Sequence, residues 1–363
     1  MTSSGRVVLG DRLARRVATT VAALAVAVAA AGCADPGSGG AARDATRGGA
    51  PLDPAGTASA PAPRAPTAVG AANLVGRFAS PNPGSVNAYW ISAPQGLVVV
   101  DTLRTLTDAR KAVEQVKRTG RPVAAILLTH SHPDHVGGGG VFHEAFPQAP
   151  VYASAATDKV MREDPRGFYP LTRTVPDHDF PEQLTYATAT FRPGDTIDAG
   201  GRRLETAEFS EGESDTATVY YDRVSQALYA GDLVGNRVTP ALLEGHSCGW
   251  LVNLDRLRER FPSVRTVYPG HGAPAAAAGM FKEQRVYLRD FRRLVREAMA
   301  PTSADGTAVG EADRASIVAA LERQYPRHPR VASLPTIVEE NIKAVSAELS
   351  AENPATLPVA CAP

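Results

Sequence analysis

The sequence predicts an α/β layered fold. Strand-like and helix-like segments alternate from Asn73 onward, and no glycine-rich phosphate loop interrupts them. The uninterrupted apolar run PVAAILLT, 122–129, has the length and composition of a strand buried on both faces. An apolar content of 44% lets a chain of 363 residues build a sizeable core without disulfide staples.

In chain order, NAYWIS (87–92) and GLVVVD (96–101) read as neighbouring strands across a proline-containing turn. TDARKAVEQVKRTG (107–120) carries apolar residues at helical spacing and ends on a glycine stop. After the 122–129 strand come a short helix near 141–146, a strand at VYAS (151–154) and a helix at ATDKVMRE (156–163). Residues 164–200 are rich in Pro, Asp and Thr with weak periodicity, and are expected to form a long loop or insertion. Strands resume at ATVYYD (217–222) and ALYAGD (227–232), followed by a helix over 250–261 and a strand over 265–270. Helices are expected near 276–299, 311–325 and 335–349, their amphipathic patterns signalling packing.

The first 66 residues read differently. Residues 1–32 hold four arginines against Asp11, a net of +3, so the remainder of the formally neutral chain is near −3. Arg12, Arg15 and Arg16 precede fifteen uncharged residues, too few to span a bilayer, which needs ~20. This segment reads as a signal peptide. It closes on AAGC and resembles a bacterial lipobox, which implies lipidation of Cys33, although Ala30 stands where leucine is commoner. Residues 33–66, nearly all Ala, Gly, Pro and small polar residues, cannot bury enough apolar surface to offset chain entropy and read as a disordered tether. The expected organisation is a leader (1–32), a lipidated tether (33–66), a head (67–275) and a helical extension (276–363). The expected location is the extracytoplasmic face of a membrane. There Cys248 and Cys361 are free to form a disulfide. No basic stripe with interleaved aromatics appears, which argues against a nucleic-acid partner.

The chemistry concentrates in THSHPDHVGG, 129–138. Of eight histidines in the chain, His130, His132 and His135 fall here with Asp134, directly after the buried strand. On a loop leaving a strand end these side chains can fan out from one point. Imidazole and carboxylate suit zinc, and four donors exceed what one catalytic zinc takes, which points to two metals. Asp232 ends ALYAGD, where a carboxylate can bridge two cations, and His271 lies between glycines in YPGHG.

THSHPDHVGG, then GDL, then PGHG together resemble the metallo-β-lactamase superfamily over roughly residues 73–275. The resemblance implies a four-layer αββα sandwich with the metals at one edge. It assigns His130 and His132 to metal one, Asp134, His135 and His271 to metal two, and Asp232 to a bridge. The family's usual third histidine for metal one is missing: Gly212-Glu213 stands where Gly-His is expected. Glu213 is therefore the candidate ligand, with Glu211, Asp215 or no ligand as alternatives. A carboxylate there makes the site harder, admitting iron or manganese beside zinc.

Two cations sharing a water bring its pKa near neutrality. The expected activity is hydrolysis of an ester, thioester, lactone or related carbonyl bond in a small molecule, with Asp134 orienting the nucleophile. No GxSxG elbow appears. By resemblance the bridging aspartate favours glyoxalase II-like and lactonase-like hydrolases over β-lactam cleavage. An iron-dependent persulfide dioxygenase, a β-lactam hydrolase and a non-catalytic binding lipoprotein are the alternatives. His246 is a candidate substrate contact. Trp90, Trp250 and Phe168 could wall a pocket, although core packing is commoner for aromatics. His143 and His178 read as surface residues.

Overall fold

The computed structural model describes residues 75–81, 86–302 and 309–362, which lie in one compact unit, 66–363. The leader, Cys33 and the tether lie outside the described residues.

Two six-stranded sheets form the centre. The first runs in chain order: β1 (Val75–Ala79), β2 (Asn87–Ala93), β3 (Gly96–Val100), β4 (Val123–Leu127), β5 (Val151–Ser154) and β6 (Ala189–Phe191). Strands β1 to β3 are antiparallel and β3 to β6 parallel. The second runs β7 (Thr196–Ala199), β8 (Arg202–Glu208), β9 (Thr218–Asp222), β10 (Ala227–Gly231), β11 (Thr266–Pro269) and β12 (Ala275–Ala276), antiparallel except for the β10–β11 pair.

Strand periodicity explains the layering. Along β3, Leu97 and Val99 point into a core shared with α1 (Leu106–Lys117), α3 (Gly139–Ala145) and α4 (Ala155–Glu163), while Val98 and Val100 point between the sheets. Strand β4 divides likewise: Ile126 faces the helices, and Ala125 and Leu127 face the second sheet. On that sheet's far side a third core packs α6 (Ser247–Arg260), α7 (Ala277–Thr302), α8 (Glu311–Gln324) and α9 (Ile337–Ala351) against Leu228 and Val267. The order helix, sheet, sheet, helix is the αββα sandwich expected from the sequence.

Helix starts follow local chemistry. Thr105 caps α1 by accepting from Asp108 N at 3.1 Å, and Ser154 caps α4 through Thr157 N at 3.0 Å. Glu348, on α9, accepts from Ser247 N at 2.9 Å and Cys248 N at 2.8 Å, placing a carboxylate on the N-terminus of α6. Buried Arg292 of α7 pairs with that Glu348 at 3.1 Å. A disulfide joins Cys248 to Cys361.

The structure corrects the 164–200 expectation. This stretch contains a short helix, α5 (Phe168–Arg173), and the strands β6 and β7, and β8 follows directly. These strands are three to seven residues long and partly exposed, so their apolar signal is thin. One signal was present: Gly200 and Gly201, at φ +63° and +82°, form the two-residue turn of the β7–β8 hairpin.

Candidate metal centre

The parallel strands β4, β10 and β11 deliver their C-terminal ends to one place. His130 and His132 follow β4, and Asp134 and His135 lie on the one-turn helix α2 (Pro133–Val136). Asp232 follows β10, His271 follows β11, and Glu213 comes from the β8–β9 connection. The seven side chains form two groups: His130, His132 and Glu213; and Asp134, His135, Asp232 and His271. Within each group one donor atom per residue lies within 4.8 Å of the others. The His130 and His135 rings, 4.1 Å apart, join the groups.

In the first group Glu213 Oε1 is 2.9 Å from His132 Nδ1, and Oε2 is 3.5 Å from His130 Nε2. Of the three carboxylates considered for this position, only Glu213 faces both histidines. Glu211 is exposed, and Asp215 pairs with Arg166 at 2.6 Å. In the second group His271 Nε2 lies 3.0 Å from Asp134 Oδ2 and 3.1 Å from Asp232 Oδ2, while His135 Nε2 is 3.2 Å from Asp232 Oδ1.

The far side of each β4-loop imidazole is fixed by an acceptor. Asp101, at the end of β3, accepts from Thr129 N, Thr129 Oγ1 and His135 Nδ1, each at 2.8 Å. Because the Thr129 hydroxyl gives its single proton to Asp101, it must accept from His130 Nδ1, 3.0 Å away. Glu244 accepts from His132 Nε2 at 3.0 Å, and Arg166 holds Glu244 at 3.1 Å. His130 and His135 therefore present Nε2 to the centre, and His132 presents Nδ1. Such outer partners set tautomer and ring orientation in metal sites. Asp101 adopts φ +58°, an unfavourable backbone for a non-glycine residue that its three bonds sustain.

Charge is strongly coupled here. Burial, then the neighbouring His135 and His132, hold His130 well below the usual imidazole range. Burial opposes charge on His132, but Glu213 and Glu244 outweigh it and raise its pKa. His135 is raised in the same way by Asp232 and Asp101, and His271 is pushed up to about 10, chiefly by Asp232 against burial. Asp134 and Asp232 lie below the carboxylate range because the histidine charges overcome burial. Burial raises Glu213.

A divalent cation fits these donors. His130 Nε2, His135 Nε2, both Glu213 oxygens and Asp232 Oδ1 are buried without a hydrogen bond of ordinary geometry, an arrangement costly unless something else binds them. Nitrogen and oxygen donors without a thiolate suit zinc, iron or manganese. Gly270 is required by close approach: a Cβ there would stand 1.9 Å from Asp232 Oδ1 and 2.7 Å from the His135 ring.

A cavity of about 280 Å³ opens onto both groups, touching His132, Asp134, Glu213, Asp232 and His271. Phe168 and Trp250 line it, and the Phe168 ring stands edge-on to His132 at 5.4 Å. Trp90 instead packs over Gly76 on the helix side of the first sheet. His246 is not among the cavity-lining residues. It sits 3.4 Å from Asp215, beside Arg166 and Glu244. His178 is exposed and His143 half-buried. Sequence reasoning missed Asp101, Glu244 and Arg166. The acid ending GLVVVD could have flagged the first, and LLEGH, which carries Glu244 and His246 together, the second.

Over 49 residues the chain is 41% identical to the linear primary-alkylsulfatase of Pseudomonas sp., covering 13% of this chain and 9% of that protein. It is 28% identical over 163 residues to the hydroxyacylglutathione hydrolase of Synechococcus sp., covering 45% of this chain and 55% of that one. The fold is similar to that of a beta-lactamase domain protein from Burkholderia ambifaria, with TM-score 0.58, 17% identity and coverage of 78% of this chain and 87% of that one. A family model described as the metallo-beta-lactamase superfamily matches residues 81–271, more than half of the chain. With that match on this sandwich, the chain belongs to the metallo-beta-lactamase superfamily.

Proposed function

We propose that the chain is a metal-dependent hydrolase acting on an ester, thioester, lactone or related carbonyl bond. The observation that carries this reading is the pair of ligand groups with buried, unbonded donor atoms at the floor of one cavity. His130, His132 and Glu213 would hold one cation, and Asp134, His135 and His271 a second, both best supplied as zinc. Asp232 stands between the groups: its charge acts on His130 and Glu213 as well as on His135 and His271. Bound divalent cations supply Lewis acidity to a carbonyl oxygen and acidify water to near neutrality.

The chain's own residues do the rest. Asp134 borders the cavity and stays ionised, so its carboxylate can accept a hydrogen bond from the attacking water and orient it. Glu244 and Asp101 hold the imidazoles in the required tautomers. The cavity walls around the centre are largely apolar. The hydroxyacylglutathione hydrolase relative supports carbonyl hydrolysis as the reaction class. We place the centre in the head, 67–275, walled by helices of 276–363. The basic start, apolar run and AAGC of residues 12–33 support a lipid-anchored protein on the extracytoplasmic side.

The test is hydrolysis of p-nitrophenyl and thioester acyl substrates by the zinc-loaded chain. Activity should be lost with chelator and restored by zinc. One iron per chain, with oxygen consumption on adding a persulfide and no ester cleavage, would replace this reading with dioxygenase chemistry.

A further inference from the structure

We infer that the substrate carries an uncharged aliphatic chain beside the scissile carbonyl, a proposal that rests on the hydrolase reading above. Away from the ligand groups the cavity walls are largely hydrocarbon. Phe168, Leu171 and Val175 come from α5 and the turn after it, Leu334 from the approach to α9, Ile337 from its first residue, and Trp250 from α6. Leu171, 60% exposed, places apolar surface at the solvent side.

The threonine hydroxyls of the walls are committed elsewhere, and two further polar lining groups, Ser333 and the Gln284 amide with its unpartnered Nε2, are uncharged. Thr172, Thr174 and Thr239 donate their hydroxyl protons to the carbonyls of Phe168, Leu171 and His328, at 2.8, 2.7 and 3.0 Å. Outside the ligand groups Arg104 is the one charged side chain among the described lining residues, and its guanidinium forms a two-pronged ion pair with Asp177. A carboxylate-bearing leaving group such as glutathione therefore meets no free cation among the described lining residues. Burying its charge against hydrocarbon would be unfavourable.

The volume, about 280 Å³, lies just under the ~300–1,000 Å³ of sites for drug-sized ligands, which suits a short chain. Leu334 and Ile337 lie beyond residues 81–271, the segment matched by the superfamily model, so this wall comes from the loop entering α9 and from the first residue of that helix. In the reaction water adds across the acyl bond: the acyl carbon gains hydroxyl and the alcohol or thiol leaves with the other hydrogen.

Two series on the zinc-loaded full chain test this. Calorimetric binding of acetate, butyrate, hexanoate and octanoate should tighten by up to ~4-fold per methylene, from ~0.8 kcal/mol per buried CH₂. The kcat/KM values of the matching p-nitrophenyl esters should climb in parallel. Leu334→Asp should lower the octanoate-to-acetate ratio at least ten-fold. Ala241→Phe, which fills the same cavity without adding charge, serves if the first variant does not fold. A flat or falling series, or a glutathione thioester cleaved faster than every aliphatic ester, overturns the proposal. Chain-dependent carboxylate binding without cleavage of any ester would instead leave the apolar subsite standing and remove the hydrolase reading.

Discussion

His132 is held between two carboxylates: its Nδ1 lies 2.9 Å from Glu213 Oε1 and its Nε2 3.0 Å from Glu244 Oε1. The two contacts do different work. Glu213 faces the same space as His130 and is the metal-ligand candidate, whereas Glu244 lies behind the ring and is clamped by Arg166. One imidazole is thereby aimed by one acid toward a site completed by the other.

Removing the aiming acid should loosen the site without dissolving it. Glu244→Ala is expected to weaken zinc binding ~10–100-fold, the usual effect of losing an outer partner. Glu244→Gln, which keeps an acceptor, should cost less. Competition with a fluorescent zinc chelator measures both, and unchanged affinity in the alanine variant would remove Glu244 from the account.

Asp101 supports two histidines from one strained backbone position. Asp101→Ala leaves Thr129 N and Oγ1 and His135 Nδ1 buried without their acceptor. Each bond to a charged group contributes ~1.5–3 kcal/mol, so urea unfolding of the metal-free chain should show a loss of about 3 kcal/mol or more. A loss below 1 kcal/mol would mean that strain relief offsets the bonds.

The disulfide closes a sequence separation of 113 residues, from the start of α6 to the C-terminal tail. Reduction, or Cys361→Ser, should lower unfolding free energy by about 2–4 kcal/mol. Denaturant curves with and without reductant decide this. Coincident curves would show that α7–α9 hold without the link.

Protons and metals compete for the same atoms. In the metal-free protein His271, raised to about 10, contributes stability fully present below its unfolded value near 6.5 and lost as pH rises through about 10. Asp134, depressed, contributes above its unfolded value near 3.8 and loses that contribution as pH falls through its folded pKa. Metal needs these imidazoles neutral, so zinc affinity should increase from pH 6 to pH 8 with proton release. Titrations in buffers of different ionisation enthalpy read that release, and affinity independent of pH would contradict the ligand assignment.

Much of this was legible beforehand. The strand β4 announced itself because both its faces are buried, which produces an unbroken apolar run. Strands β6 to β8 did not, being short and half-exposed. THSHPDHVGG, Asp232 and His271 were legible because dense donors at strand ends have few other uses. Glu213 was visible only as a substitution against a familiar pattern. Glu244 left only the faint signal of an acid beside His246 in LLEGH, and Arg166 left none: it lies 78 residues before its partner, on a loop whose composition says only that it is polar. The cavity wall was also hidden, since Leu334 and Ile337 come from an amphipathic pattern that reads simply as packing.

The most direct test of the central claim is metal content, measured by mass spectrometry on the zinc-equilibrated chain beside Glu213→Ala. Two zinc ions per chain, falling to one in the variant, is the predicted result. One metal per chain in both proteins would contradict it, leaving Glu213 as a buried acid beside His132 and the seven residues as a single site.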